Sequence, residues 1–196
     1  MTYDKRSAMS KQEEYVPKET VKDVLSYPFK AIESRGIRKE TAERFGVRSG
    51  ISEADGKTVE ALYFPSYNQK GKIIGFSKQD LTKDKSEKYH WTTIGSVNIS
   101  NKLFGQEVAE SIQRKRSALV YTEGQHDTMA CFQAMKDQVK GTKFEGIEPF
   151  VVSIPLGTAN AVEATLHNSE FVLSYASLCL FFDDDYCTPA ERQKGI

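Results

Sequence analysis

The chain has 196 residues, enough for one large domain or two small ones, and 39% of them are hydrophobic, which suffices for a buried core. Its 27 basic and 27 acidic side chains cancel, which excludes a uniformly basic nucleic-acid-binding protein and confines any such contact to a local patch. No run approaches the roughly 18 apolar residues of a membrane helix, and the N-terminus lacks an apolar signal segment. We therefore expect a cytoplasmic protein without a membrane partner.

The cysteines and histidines do not follow a metal-binding pattern. Cys131, Cys179 and Cys187 contain no Cys-x-x-Cys pair, and the three histidines are scattered along the chain. Structural zinc sites need closely spaced pairs of these ligands. The sequence therefore predicts no zinc ribbon.

The first part of the chain is predicted to be a flexible arm followed by short helices. Residues 1–18 are polar and charged, with no apolar period. A helical pattern begins at Glu19, and a second short helix is predicted over residues 38–45. We interpret the face of that helix formed by Thr41, Glu43 and Arg44 as solvated rather than as a contact for nucleic acid.

A β-hairpin is predicted next. Residues 59–67 and 72–77 have the composition of strands, and residues 68–71 (Asn-Gln-Lys-Gly) supply the turn. Residues 89–94 are predicted to add a third strand. These elements define an N-terminal subdomain over residues 19–116.

The link over residues 78–88 is rich in lysine and lies next to aromatic residues. Basic side chains hold phosphodiester backbones and aromatic rings stack on bases. By composition alone an exposed loop is the better interpretation, because Asp80, Asp84 and Glu87 balance the lysines. The candidate contacts for nucleic acid or nucleotide are Lys78, Lys83, Lys85, Lys88, Tyr89 and Trp91.

From Ala118 the pattern becomes strand, helix, strand, helix, strand. The strands are predicted from residue 118 to the acid at 123, over 149–154 and over 177–182, with helices near 128–135 and 161–175. Continuous apolar strands separated by helices indicate a parallel sheet covered on both faces. We therefore predict an α/β domain over residues 117–196, preceded by the smaller α+β subdomain.

Acidic residues follow the first and the last of these strands. Glu123 comes directly after one strand, and Asp183 and Asp185 come directly after the other. Ligands bind at the carboxyl ends of parallel strands, so the three acids are expected to converge. In a continuing strand Asp183 and Asp185 share a face and Asp184 points away. A carboxylate cluster of this kind suits Mg²⁺ or Mn²⁺, whereas an acidic solvated turn is the alternative.

Four residues near these acids have weaker roles. Asp127 lies in the first helical turn, where the helix dipole alone favours an acid. Gly124 is expected to permit a tight backbone turn where a side chain would collide. Gly157 lies in the loop after the second strand. Two interpretations of it stay open: a loop whose backbone amides contact phosphates, and an ordinary glycine turn. His126 is interpreted as a solvated neighbour of the site.

These motifs resemble a known family. Glu123-Gly124-x-x-Asp127 followed by Asp183-x-Asp185 is similar to the TOPRIM domain of bacterial-type primases and topoisomerases. Residues 34–37 (Ser-Arg-Gly-Ile), 40–47 and 101–105 (Asn-Lys-Leu-Phe-Gly) resemble segments of phage primase-helicases and of the mitochondrial helicase Twinkle. The resemblance covers roughly residues 27–188. The chain departs from it at Thr188, where the family commonly has glycine, and ends before a later strand, so the TOPRIM domain is expected to be truncated.

The resemblance implies a primase in bacterial or phage-infected cells. It implies synthesis of RNA primers on a single-stranded DNA template from ribonucleoside triphosphates, beside a fused or separate replicative helicase. Glu123, Asp183 and Asp185 would be catalytic and hold the metal, and the basic link would bind template and nucleotide. A TOPRIM nuclease and a non-catalytic, Twinkle-like module that binds DNA and a helicase remain alternatives.

Overall fold

Two β-sheets, one antiparallel and one parallel, form the framework of residues 19–182, the part of the chain that the computed structural model describes. The predicted arm over residues 1–18 and the predicted ligands Asp183 and Asp185 lie outside the described residues. No helix in the described range is long and apolar enough to span a membrane.

The antiparallel sheet contains the predicted hairpin. Its strands are β1 (Arg48–Ile51), β2 (Val59–Tyr67), β3 (Ile73–Asp80) and β4 (Trp91–Gly95), in that spatial order. The turn between β2 and β3 forms because the Asn68 carboxamide accepts hydrogen bonds from the backbone N–H groups of Lys70 and Lys72, both at 3.0 Å. This confirms the hairpin, but β3 is longer than predicted and includes Lys78.

Short helices precede the antiparallel sheet in the chain. They are α1 (Val21–Leu25), a 3₁₀ turn (Glu33–Arg35) and α2 (Lys39–Arg44). Helix α1 begins where it does because Thr20 and Asp23 cap each other: the Asp23 N–H donates to Thr20 Oγ1 at 3.2 Å and the Thr20 N–H donates to the Asp23 carboxylate at 2.9 Å. The cap directs Val24 into the core, where it is fully buried.

The parallel sheet has the predicted strand–helix alternation. Its strands are β5 (Ala118–Thr122), β6 (Phe150–Ser153) and β7 (Ser177–Phe181), in the order β6-β5-β7. The remaining helices are α3 (Gln106–Ser111), α4 (Gln125–Gln138), a 3₁₀ turn (Thr158–Asn160), α5 (Ala161–His167) and α6 (Ser169–Leu173). The α/β prediction, with a small β-hairpin subdomain in front of it, is confirmed.

One helix that was predicted to be continuous is interrupted. The segment 161–175 is two helices that meet at Asn168. The Asn168 side-chain amide donates to the carbonyl of Ala164 at 2.9 Å and to that of Asn101 at 3.0 Å. These bonds hold Asn168 at φ −111° and ψ 21°, outside the helical region, and so break the helix.

The strand order places a switch point beside β5. The chain passes from β5 to β6 on one side and then returns to β7 on the other side of β5. Ligands of open parallel sheets bind at the carboxyl edge where the order reverses. In the parallel register Thr122 lies beside Phe181, so β5 and β7 end at the same edge.

An aromatic core joins the two sheets. Phe64 of β2 lies 5.9 Å from Phe104, ring centroid to ring centroid, and Phe104 lies 5.5 Å from Phe45. Phe45, just after α2, in turn meets Phe132 of α4 at 5.1 Å. Because these rings come from both halves of the chain and are buried, they fix one sheet against the other.

The predicted solvated face of α2 is part of the same junction. Thr41 is buried and donates to the side-chain oxygen of Gln133 on α4 at 3.0 Å. Arg44 donates two hydrogen bonds to the carboxylate of Glu148, at 2.7 and 3.2 Å. The interpretation as solvated is therefore wrong for Thr41 and Arg44, which hold α2 against the parallel-sheet half, whereas Glu43 is exposed as expected.

Candidate active site

A cleft of about 430 Å³ separates the antiparallel sheet from the carboxyl edge of the parallel sheet. One wall comes from β3 and β4, and the other from the residues that follow β5 and β6. Its lining residues are Ser77, Trp91, Thr92, Thr93, Glu123, Gly124, Gln125, Ile154, Pro155, Leu156 and Gly157. The topology therefore brings together Glu123, Trp91, Gly124 and Gly157 from the predicted set.

Glu123 is partly buried at the end of β5, directly before α4. Asp127, by contrast, is exposed, and its carboxylate accepts a hydrogen bond from the Gly124 backbone N–H at 3.1 Å. This bond caps α4 and occupies one carboxylate oxygen of Asp127. Of these two acids, Glu123 lines the cleft and Asp127 stabilises the start of the helix.

The two predicted turn glycines differ. Gly124 has an extended backbone, φ −125° and ψ 167°, that any residue can adopt, and an added Cβ would lie 3.0 Å from the Asp127 carboxylate. The tight turn expected there is therefore not a glycine-specific conformation. Gly157 does require glycine, because its φ of +78° lies in the left-handed region.

Trp91 forms part of the antiparallel wall of the cleft. Its ring lies 5.6 Å from that of fully buried Phe64, and the side chain is nevertheless 43% exposed. Thr93 lies two residues after Trp91 on β4, so the two side chains share a face of the sheet. Ser77 on β3 pairs directly with Thr93 and therefore lies on that face too. Sequence reasoning missed Ser77 and Thr93, because only the register of β3 and β4 places them opposite each other beside Trp91.

The four predicted lysines are not equivalent. Lys78 lies on the opposite face of β3 from Ser77, and its ammonium contacts the Glu19 carboxylate at 2.6 Å. Lys83 lies 3.5 Å from the carboxylate of Asp80, whereas Lys85 and Lys88 are exposed on the loop between β3 and β4. The loop thus presents three lysines at the surface, and Lys78 belongs to a separate, partly buried ion pair.

Tyr89 is held beside these lysines. It is the only non-glycine residue with positive φ, +68°, among the described residues. The ammonium groups of Lys88 and Lys83 lie 4.6 and 5.7 Å from its ring centroid. Such cation–π contacts keep the ring and the two charges together on the loop.

His126 is not the solvated residue that the sequence suggested. Its ring packs against Phe64 at 5.1 Å and is partly buried. Burial, together with the smaller effect of the nearby positive charges of Arg35 and Lys85, lowers the pKa of His126 to about 4. His126 is therefore neutral near pH 7, and that interpretation from the sequence is wrong.

The complete predicted metal site cannot be assembled from residues 19–182. Within this range no group of three or more acidic, histidine or cysteine side chains is placed to hold a metal ion. Glu123 contributes one carboxylate at the switch point, and Phe182, whose ring lies 5.8 Å from that of Tyr121, is the last described residue before Asp183. Carboxylates are the donors that Mg²⁺ prefers, so Glu123 fits such an ion chemically.

No protein-family model and no curated protein sequence matches this chain. Solved structures do match: the primase fragment of the bacteriophage T7 primase-helicase is 24% identical with a TM-score of 0.56 over 84% of this chain. The E. coli primase catalytic core is 16% identical with a TM-score of 0.53 over 84% of this chain, and a DnaG primase catalytic domain bound to single-stranded DNA is 16% identical with a TM-score of 0.52 over 88%.

The chain spans only part of those proteins. It covers 57% of the T7 fragment, 57% of the E. coli core and 62% of the DnaG domain. At these identities the likeness concerns the fold. The chain therefore has the fold of DNA primase catalytic cores.

Proposed function

We propose that this chain is the TOPRIM catalytic part of a phage-type DNA primase or primase-helicase. Its reaction is nucleotidyl transfer that joins ribonucleoside triphosphates into short primers on single-stranded DNA. The proposal rests on the primase fold together with one observation: Glu123 lines the cleft between the two sheets at the switch point of the parallel sheet.

Glu123, Asp183 and Asp185 are the proposed ligands of Mg²⁺ or Mn²⁺. In the sequence Asp183 follows directly after Phe182, and Asp185 comes two residues later. Divalent ions in polymerases neutralise charge on the attacking and leaving oxygens. Glu123 would bind the ion or accept the proton of an attacking hydroxyl group.

The loop between β3 and β4 is the proposed grip on the DNA backbone. Lys83, Lys85 and Lys88 carry its positive charge, and Tyr89 adds an aromatic surface. Three charges in a chain of zero net charge give weak, salt-sensitive binding. A helicase, fused or separate, is the proposed partner that keeps the chain on its template.

A gel assay with labelled ribonucleotides, Mg²⁺ and single-stranded templates of varied sequence tests the reaction. We expect feeble joining of nucleotides without a trinucleotide preference, and a loss of roughly 100-fold or more in Glu123→Gln, the range of a lost acid–base group. Glu163→Gln, an exposed acid on α5, is the matched control. Equal product from wild type and Glu123→Gln would refute the assignment of Glu123.

One observation favours a second candidate, a non-catalytic module that binds DNA and a helicase. Among the described residues that line the cleft there is no lysine or arginine to neutralise a triphosphate. This candidate predicts salt-sensitive binding of single-stranded DNA with no joining of nucleotides, even with Mn²⁺. The same gel assay, paired with a DNA-binding measurement, separates the two candidates.

A further inference from the structure

The cleft has an unusual lining for a site that meets nucleic acid. Of the described residues around it, Glu123 is the only one with an ionisable side chain. The lysines at positions 83, 85 and 88 belong to the neighbouring loop and do not line it. Phosphate groups would therefore find no positive side chain inside the described cleft, whereas the loop outside it offers three.

Trp91 gives this lining a flat aromatic surface. Phe64 packs against the indole at 5.6 Å from below, and His90 lies 6.1 Å away in an edge-to-face arrangement. Phe64 is itself fixed by the aromatic core that joins the two sheets. The indole is thus held in place on one side while 43% of the side chain stays accessible.

Apolar and hydroxyl groups complete the subsite. Ile154 and Leu156, which follow β6, line the cleft from the other sheet, and Ser77 and Thr93 lie in register on the tryptophan-bearing wall. Hydroxyl groups donate and accept hydrogen bonds without carrying charge. A flat, uncharged heterocycle with polar edges matches these walls, since stacking on an aromatic ring tolerates any base.

We propose that Trp91, Ser77, Thr93 and Leu156 form a nucleobase subsite, in which a base stacks on the indole while its phosphates remain outside with the lysines of the loop. The proposal rests on the proposed function only in taking nucleic acid as the ligand. The base enters the part of the cleft beside Trp91, where no described side chain is positively charged, and the backbone follows the loop that carries the lysines. Binding of the base itself is then independent of metal and nearly independent of salt.

The sole tryptophan of the chain makes this directly measurable, because all indole fluorescence comes from Trp91. The probes are adenosine and cytidine, which carry no phosphate, with ribose as the control that lacks a base. Titrations are run without divalent metal at about 50 and about 200 mM salt, conditions between which phosphate contacts lose affinity. We expect both nucleosides to quench the fluorescence and to shield Trp91 from acrylamide, equally at the two salt concentrations, and ribose to do neither.

The contribution of the cleft's hydroxyl groups is tested by removing them while Trp91 is kept as the probe. Ser77→Ala with Thr93→Val should weaken nucleoside binding by roughly tenfold, the usual effect of a lost hydrogen bond or two. Ser100→Ala, a hydroxyl that bonds Asn98 in an exposed turn, is the matched control and should bind as wild type does. Equal binding by the double variant would remove Ser77 and Thr93 from the subsite.

Absence of quenching by both nucleosides, or quenching that requires phosphates and falls steeply with salt, would overturn the subsite. This failure differs from failure of the proposed function. A chain that binds Mn²⁺ through its acids but leaves Trp91 unaffected by nucleosides keeps the catalytic proposal and loses the subsite. A chain that binds nucleosides but no metal keeps the subsite and loses the catalytic proposal.

Discussion

At the scale of single residues, four lysines of one short segment have different surroundings and therefore different expected roles. Lys78 is already neutralised by Glu19 on the far face of β3. Lys85 and Lys88 are exposed on the loop, and Lys83 is partly buried there with a longer, 3.5 Å contact to Asp80, so these three can reach a DNA backbone and release its counterions. Replacing these three by alanine should reduce the slope of log affinity against log salt by up to about 2, since each single-strand phosphate contact contributes about 0.7.

The control for this prediction is Lys78→Ala, which removes one charge from the same segment. It should leave the salt slope of single-stranded DNA binding unchanged while lowering stability, because Glu19 loses a partner. The measurement is fluorescence anisotropy of a labelled oligonucleotide over a salt series. A slope that falls with Lys78→Ala and not with the triple variant would contradict the separation of the four lysines.

His126 is the residue whose protonation should make stability depend on pH. Its pKa is about 4 in the folded chain against an ordinary value of 6.5, so the unfolded chain binds the proton more strongly. The contribution of neutral His126 is complete above pH 6.5 and is lost as pH falls through 6.5 towards 4. Up to about 3 kcal/mol of unfolding free energy is involved, less to the extent that water reaches the ring.

His126→Gln should therefore lose less unfolding free energy than wild type between about pH 7 and about pH 4.5. Urea unfolding followed by circular dichroism at the two pH values measures the difference. His167→Gln, an exposed histidine at the end of α5, is the control and should behave as wild type. An unchanged pH dependence in His126→Gln would show that burial against Phe64 does not govern its protonation.

At the scale of elements, the link from residue 104 into α3 depends on one glycine. Gly105 has φ +87°, and a Cβ there would lie 2.5 Å from the carbonyl oxygen of Val151 in β6. Gly141 has a similar φ, +71°, but open space around it. Gly141→Ala should cost about 1 kcal/mol for the left-handed backbone, whereas Gly105→Ala adds a backbone collision and should cost on the order of 3 kcal/mol or more.

Chemical denaturation of the two variants provides the comparison. Both variants carry the backbone strain, so the difference between their losses of unfolding free energy measures the collision with the Val151 carbonyl oxygen. This collision lies beside the bridge between Phe104 and Ser153. Equal losses would mean that the chain moves away from β6 at little cost. In that case the bridge does not position the residues after β6 that line the cleft.

The elements also show what the sequence could and could not reveal. The hairpin and the parallel strands were predictable, because turn chemistry at Asn68 and continuous apolar runs are local signals. Strand β1 was not, since Arg48–Ile51 contains a glycine and is held by pairing with β2. The break at Asn168 depends on the carbonyl of Asn101, a partner 67 residues away.

The residues that line the cleft also divide into those that the sequence could reveal and those that it could not. Glu123 was predictable from its place after an apolar strand, and Trp91 from its aromatic character beside a basic segment. Ser77 became visible only when the register of β3 and β4 put it opposite Thr93. The misplacement of Lys78 has a related cause: β3 runs through Asp80, and alternation along the strand turns this lysine to the other face.

At the scale of the whole molecule, the shared aromatic core predicts that the two sheets unfold together. Phe64 belongs to the antiparallel sheet but packs against Phe104 and His126 of the other half. Phe64→Ala should lower the unfolding free energy by about 3–5 kcal/mol. In wild type, Trp91 fluorescence, which reports the antiparallel sheet, should change at the same denaturant concentration as far-ultraviolet circular dichroism.

Two separate transitions in wild type would contradict this prediction, because they would mean that each sheet has an independent core. Leu25→Ala is a suitable control for the substitution, since this apolar side chain on α1 is 41% exposed. It should shift stability by much less than Phe64→Ala. A single core matters for function because both walls of the cleft are then fixed before any ligand binds.

The metal site proposed for this chain is one divalent ion held by Glu123 together with Asp183 and Asp185. Calorimetric titration with Mn²⁺ tests it most directly, using wild type, Glu123→Gln, the double variant Asp183→Asn with Asp185→Asn, and Asp184→Asn. Because period two predicts that Asp184 faces away, we expect weak binding by wild type and Asp184→Asn and none by the other two. Equal binding by all four proteins would contradict the account.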